Sequence, residues 1–149
     1  MIGTLNSYQI ENFLRSEVVG RLGCSSKGTT YIVPIAYIYD GKDIYAHTKE
    51  GLKTTMMRQN SNVCFEVDHI YNMSNWQSVI LWGKYEELKG KKAEEALQAL
   101  VNRIHPISSS EVSVPRHGLE RPGAPENPDV KLVVFRIKIE KASGKYEKQ

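Results

Sequence analysis

Residues 31–68 read YIVPIAYIYDGKDIYAHTKEGLKTTMMRQNSNVCFEVD, and this stretch decides the fold. It runs as strand, tight turn, strand, polar loop, short helix and strand. The loop leaves a strand at His47 and opens a helix near Gly51, which sets Thr48, Lys49 and Lys53 around a helix N-terminus. Free backbone N–H groups and the positive end of the helix dipole suit that position to a phosphate. Lys53 offers a cation, Thr48 a hydroxyl, and the Gly51 neighbourhood a close backbone approach.

The first strand alternates Tyr31, Val33, Ile35, Tyr37 and Tyr39 against Ile32, Pro34, Ala36 and Ile38. Both faces are largely apolar, so the pattern predicts a strand covered on both sides. Pro34 cannot donate to a ladder, so it marks an edge, a bulge, or a place where a ligand replaces a neighbouring strand. Asp40-Gly41-Lys42 closes a hairpin into Asp43–His47. The helix Gly51–Asn60 carries Leu52 and Met56 on one face, and Val63, Phe65 and Val67 alternate along the next strand.

Working outward, Ile10, Phe13 and Leu14 have helical spacing over residues 7–15, with Ser7 as the expected cap. Residues 18–24 read as a strand, and Ser25-Ser26-Lys27-Gly28 as a turn. Downstream, HIYNMSN reads as a loop before the strand WQSVILWGKYEEL, where Trp76 and Trp82 share a face and Gly83 marks a bulge or bend. Ala93, Ala96, Leu97, Leu100, Val101 and Ile104 form one stripe over the helix Lys91–Ile104, expected to pack across one opening of a barrel. Residues 106–130 hold five of the six prolines and read as a long irregular loop. Val133, Phe135, Ile137 and Ile139 then alternate in a last strand before a polar tail.

Hairpin connections between about six short strands predict a mainly β protein, a six-stranded antiparallel β-barrel with flanking helices. With 149 residues the chain reads as one domain over 1–149. The net charge of +3 is spread along the sequence, which disfavours a nucleic-acid partner. No apolar run approaches the roughly 20 residues of a membrane span, and the N-terminus lacks signal-peptide features, so a cytoplasmic protein is expected. Cys24 and Cys64 have no metal-ligand spacing and read as reduced core residues. His69, His105 and His117 form no metal motif, and no metal is expected.

These blocks resemble a known family. VVGRLGCSSKGTTYIVPIAYIYDGKDIYAHTKEGLKTTMMRQNSNVCFEVD at Val18–Asp68, NWQSVILWGKYEEL at Asn75–Leu88 and, more weakly, FRIKIEKASGKYE at Phe135–Glu147 are similar to the pyridoxamine-phosphate-oxidase-like split-barrel flavoproteins. The likeness is to the branch that includes the Nim-type nitroimidazole-resistance proteins. A phosphate site between β elements also suits flavin mononucleotide (FMN) better than a Rossmann dinucleotide fold. The resemblance implies a homodimer with FMN at the subunit interface and a small-molecule substrate. It implies that Ile32, Val33, Pro34 and Ile35 lie along the isoalloxazine ring, that His47, Thr48, Lys49, Gly51, Leu52 and Lys53 hold the ribityl phosphate, and that Gln77 and Ser78 contact the flavin from the same subunit. His47 is the candidate proton donor. The chain departs from the true oxidases in having Leu52 and Thr54 beside Lys53, and in lacking their C-terminal arginine-and-histidine segment, so pyridoxamine phosphate oxidation itself is not implied. FMN-dependent oxidoreduction is the leading reading. Flavin storage without turnover, or a split barrel using deazaflavin or haem, are the alternatives.

Overall fold

The computed structural model describes residues 1–104 and 131–149. The expected loop 106–130, with His105 and His117, lies outside the described residues. In chain order the elements are β1 (Ile2–Thr4), α1 (Ser7–Ser16), β2 (Val19–Ser26), β3 (Thr29–Ala36), β4 (Ile38–Tyr39), β5 (Asp43–Lys49), α2 (Leu52–Gln59), β6 (Asn62–Asn72), β7 (Asn75–Glu87), α3 (Gly90–Ile104) and β8 (Leu132–Glu147). Every pairing is antiparallel, in the order β3-β2-β6-β7-β8-β5-β4 with β1 added to β8. The mainly β, antiparallel architecture is the one the sequence predicts, with eight strands among the described residues in place of six. The extra ones, β1 and β4, are three and two residues long, too short for an alternation to show.

One residue curls this sheet. β3 and β4 stand at opposite ends of the strand order, yet Tyr37 alone separates them in the chain. The two sheet edges must therefore meet at Tyr37, although no ladder joins them. Tyr37 is fully buried. Its N–H donates to the Val18 carbonyl (2.9 Å) and its hydroxyl donates to the Leu14 carbonyl at the end of α1 (2.7 Å). Its ring meets Phe65 edge-on, centroids 5.2 Å apart.

The core inside the curl is built from alternate residues of β2, β5, β6, β7 and β8, joined by Phe13 and Leu14 of α1 and Met56 and Met57 of α2. The helix α3 does not cross an opening. It lies outside the sheet, over β5 and β8, where Ala96 packs with Leu88 and Val134 as a separate cluster. The short helices fill the barrel because their apolar residues are adjacent pairs that project inward, whereas the long stripe of α3 needs a flat face.

Other differences are local. Asn6, not Ser7, caps α1: Asn6 Oδ1 accepts from Gln9 N and Gln9 Oε1 accepts from Asn6 N, both 2.9 Å. Ser7 has Ile10 three residues on and cannot form that reciprocal box. Leu52 is 60% exposed, so α2 buries Met56 and Met57 instead of a Leu52–Met56 pair. β3 is an outer strand with Ile32 66% exposed, not a strand covered on both faces, and Pro34 sits where an edge strand tolerates it. HIYN continues β6, and the polar tail continues β8 against β7 and β1. Backbone pairing holds these segments together, so their side chains carry little hydrophobic pattern. No helix among the described residues is long and apolar enough to cross a membrane.

The register of β7 on β8 shifts between Trp82 and Gly83, leaving Glu140 as the extra residue. A Cβ on Gly83 would sit 2.2 Å from the Lys138 carbonyl oxygen. Gly83→Val should therefore lower stability by about 2–3 kcal/mol, a drop in Tm of roughly 4–12 °C by circular dichroism. A change below about 1 °C would show that the bulge yields.

Candidate functional site

The split has two lips. On β4 and β5, Ile38 pairs with Tyr45 and Tyr39 with Ile44. Continuing that register past Tyr37 would set His47, Thr48 and Lys49 level with Ala36, Ile35 and Pro34 of β3, and β3 and β5 do approach each other. Residues 32–35 and 47–49 thus line opposite sides of one cleft. Thr48 shares the core-facing parity of Ile44 and Ala46 and is buried, its hydroxyl donating to the Lys49 carbonyl (3.3 Å). His47 is buried too, but its parity is that of Tyr45, and it pairs with Val134 on the face where α3 packs. The candidate proton donor therefore faces α3, away from Thr48.

Above Lys49 the cleft leads to the N-terminus of α2. The fully buried Thr54 hydroxyl accepts from the Gly51 N–H (3.0 Å) and donates to the Gly51 carbonyl (2.8 Å), and Thr55 donates to the same carbonyl (3.1 Å). The N–H groups of residues 52–54 have no carbonyl within the helix to bond. Glu50 is committed elsewhere: both its oxygens accept from Arg58, which also donates to Glu87. Those bonds hold the Glu50 and Glu87 carboxyls below the usual range. Neither Lys49 nor Lys53 forms an ion pair among the described residues. Lys53 lies near Cys24 of β2, whose thiol is raised by burial, an effect the Lys53 charge partly offsets. α2 packs against β2, and the residue opposite Cys24 on the outer strand is Tyr31. Loop, helix end and cation converge. The Glu50–Arg58–Glu87 latch is the part sequence reasoning missed, because its residues are scattered and nothing in their local pattern joins them.

Gln77 and Ser78 are not part of this convergence within one chain. Following the ladders, Ser78 lies level with Asp68 and the start of β2, while Gly83 lies level with Val63, Cys24 and Tyr31. Five residues at about 3.3 Å each put roughly 17 Å of strand between the two levels. The pair also points to opposite faces. Ser78 is on the outer face and donates to Glu66 (3.1 Å), whereas Gln77 continues the core-facing parity of Val79 toward α1.

The outer face holds Arg21, Glu66 and Asp68 in one network, with Arg21 to Asp68 at 2.7 Å and to Glu66 at 3.4 Å. Ile32, Ile70, Ile80 and Trp82 surround it, all exposed, and Lys141 sits 5.2 Å from the Trp82 ring. Cys24 and Cys64 are both free: Cys24 joins the core, and Cys64 lies across from Gly23 on the outer face. No cluster of three or more metal-ligating side chains occurs among the described residues.

A family model described as pyridoxamine 5'-phosphate oxidase matches residues 6–146. Among solved structures, a FAD-binding protein from Mesorhizobium loti is 28% identical, with a TM-score of 0.75 over 100% of this chain and 98% of that one. A candidate 5-nitroimidazole antibiotic resistance protein from Bacteroides thetaiotaomicron is 19% identical, with a TM-score of 0.70 over 98% and 89%, a likeness of fold. An uncharacterized protein of Rhizobium meliloti (strain 1021) is 34% identical over 70 residues, 47% of this chain. The match spans about half that curated relative's length, 46%.

Glu66 gives the outer face a pH signature. Burial, then the hydrogen bond and charge of Asp68, raise its carboxyl above 4.5. The folded chain holds this proton more tightly than the unfolded chain, so the group's stabilising contribution is full at acid pH and is lost as pH rises through that range. Glu66→Gln removes the cost of ionisation and keeps an acceptor for Ser78. We expect it to raise stability at pH 7 by under about 1 kcal/mol, the group being partly exposed, with the gain gone near pH 4. Urea unfolding at both pH values checks this. A variant less stable than wild type at pH 7 would mean that pairing with Arg21 dominates.

Proposed function

The chain belongs to the pyridoxamine 5'-phosphate oxidase family, and from that we propose that it is an FMN-binding oxidoreductase acting on a small molecule as a homodimer. The observation that carries this is the cleft: two strand lips that end on a helix N-terminus, beside a lysine that forms no ion pair among the described residues. The residues fit the group. The first N–H groups of α2 and the Lys53 ammonium hold the phosphate, with Thr48 and Lys49 leading into it. The backbone of Ile32–Ile35 flanks the ring, because an edge strand offers the unpaired N–H and C=O groups that a planar heterocycle can bond. Leu52 is exposed beside the loop. A bound flavin supplies the electron transfer between a donor and a small-molecule acceptor. One helix N-terminus with one lysine beside it supports FMN, which ends in a single phosphate, over FAD. The likeness to a FAD-binding protein supports a flavin in general.

Assembly follows from the same surface. The outer strand β3 and the exposed Ile32, Ile80 and Trp82 form an apolar face that a second copy would cover. Ser78, on that face, then reaches the flavin of the other subunit, whereas Gln77 points to α1. Sedimentation should show a dimer at micromolar concentration. A stable monomer that retains flavin would contradict the shared site.

Lys53→Ala tests the phosphate directly. Losing one charge-assisted hydrogen bond weakens binding by about ten- to a hundredfold. FMN should lose that much by flavin fluorescence quenching, and riboflavin, which has no phosphate, about twofold or less. Equal small changes for both would remove Lys53 from the site.

A further inference from the structure

The helix α2 has no acidic residue in its first turn, and its N-cap, Gly51, has no side chain to accept from the first free N–H groups. The nearest carboxylate in the sequence is Glu50, directly before Gly51 and three residues before Lys53. A carboxylate in that place is a rival for any phosphate. Turned toward the helix, it can accept from the first N–H groups and pair with a first-turn lysine, the two attractions that an anionic ligand would use. The Glu50 backbone is fixed, its N–H donating to the Lys131 carbonyl (2.9 Å). Its side chain alone settles where the charge points.

Arg58, in the last turn of α2, takes that charge. Its Nη1 donates to Glu50 Oε1 and its Nη2 to Glu50 Oε2 (2.9 Å), a bidentate pair that occupies both oxygens. The guanidinium is itself held. Its Nε donates to Glu87, and the Tyr85 hydroxyl donates to the same Glu87 oxygen (2.9 Å). Glu87 belongs to β7, so the clamp is anchored on the sheet as well as on α2. Lys131 is a further cation acting on Glu50, yet among the described residues the Glu50 carboxylate forms an ion pair with Arg58 alone.

We propose that Arg58 is a positioning residue for the phosphate: by holding Glu50 it keeps an internal carboxylate out of the anion site, and so sets the preference for a phosphorylated over an unphosphorylated flavin. The inference rests on the flavin reading above and adds to it a residue that acts through another.

The test is the ratio of riboflavin to FMN dissociation constants, read by flavin fluorescence quenching for wild type, Arg58→Gln, Glu50→Gln and the double variant. Wild type should prefer FMN. Arg58→Gln releases Glu50, and the preference should fall roughly three- to tenfold while riboflavin affinity changes by less than about twofold. Riboflavin binding also reports that the cleft is still folded. Glu50→Gln alone breaks the same ion pair but should leave the preference at the wild-type level or above it. The double variant should return to within about twofold of wild type, because no carboxylate remains to be released. A merely structural clamp gives the opposite pattern: Glu50→Gln lowers the preference, and the double variant is no better than Arg58→Gln. That pattern would overturn the proposal and leave the flavin site standing. So would an unchanged preference in Arg58→Gln, or a loss of riboflavin binding together with FMN in that variant. Wild type that binds neither flavin, or FMN no better than riboflavin, would overturn the phosphate site and this proposal with it.

Discussion

Everything else in this structure depends on the chain crossing from one edge of the sheet to the other through Tyr37. A sheet whose two outer strands are consecutive in sequence cannot stay open, and one whose edges meet at a single residue cannot close into a full ladder. The result is a barrel with a slot. The ring and hydroxyl of Tyr37 fix the meeting point against Phe65 and the end of α1, and burial drives the hydroxyl's pKa upward, so it stays a donor across the accessible pH range. Removing that hydroxyl would leave the Leu14 carbonyl without its donor, a cost of about 1–3 kcal/mol for a buried polar group.

The slot acquires chemistry from what surrounds its upper end. Arg58 takes up Glu50 and Glu87, and among the described residues no carboxylate pairs with Lys53. An uncompensated positive charge at a helix N-terminus favours an anion by electrostatics and by hydrogen bonding at once. The opposite face of the sheet is organised differently: one guanidinium, Arg21, bridges two carboxylates inside an apolar surround. Such a patch, hydrophobic with a self-satisfied polar centre, can be covered without leaving a charge unpaired.

Much of this was legible in residues 31–68. Val63, Phe65 and Val67 showed the buried face of β6 by alternation, and Gly51 the start of α2; outside that stretch the turn read over Ser25-Ser26-Lys27-Gly28 is two residues shorter, because Ser25 and Ser26 continue β2. What failed to show did so for physical reasons. Strands of two or three residues carry no period. HIYN and KASGKYE are held by backbone ladders, with side chains that alternate no apolar pattern. Leu52 looked apolar and inward, but the inward first-turn position of this helix belongs to Thr54, and Leu52 faces solvent. Gln77 and Ser78 read as a pair, and adjacent residues on a strand point to opposite faces. The side-chain bonds from Arg58 to Glu87 and from His69 to Glu17 join positions 29 and 52 residues apart, and only the folded chain brings them together.

The most direct measurement is the visible absorption spectrum of the protein as purified, followed by chromatography of whatever heating releases. A flavin spectrum, at about one flavin per chain and released as FMN, is the result expected of a cleft that binds a phosphate at α2. Protein that is colourless and takes up no FMN, or that shows a haem Soret band instead, would contradict the account.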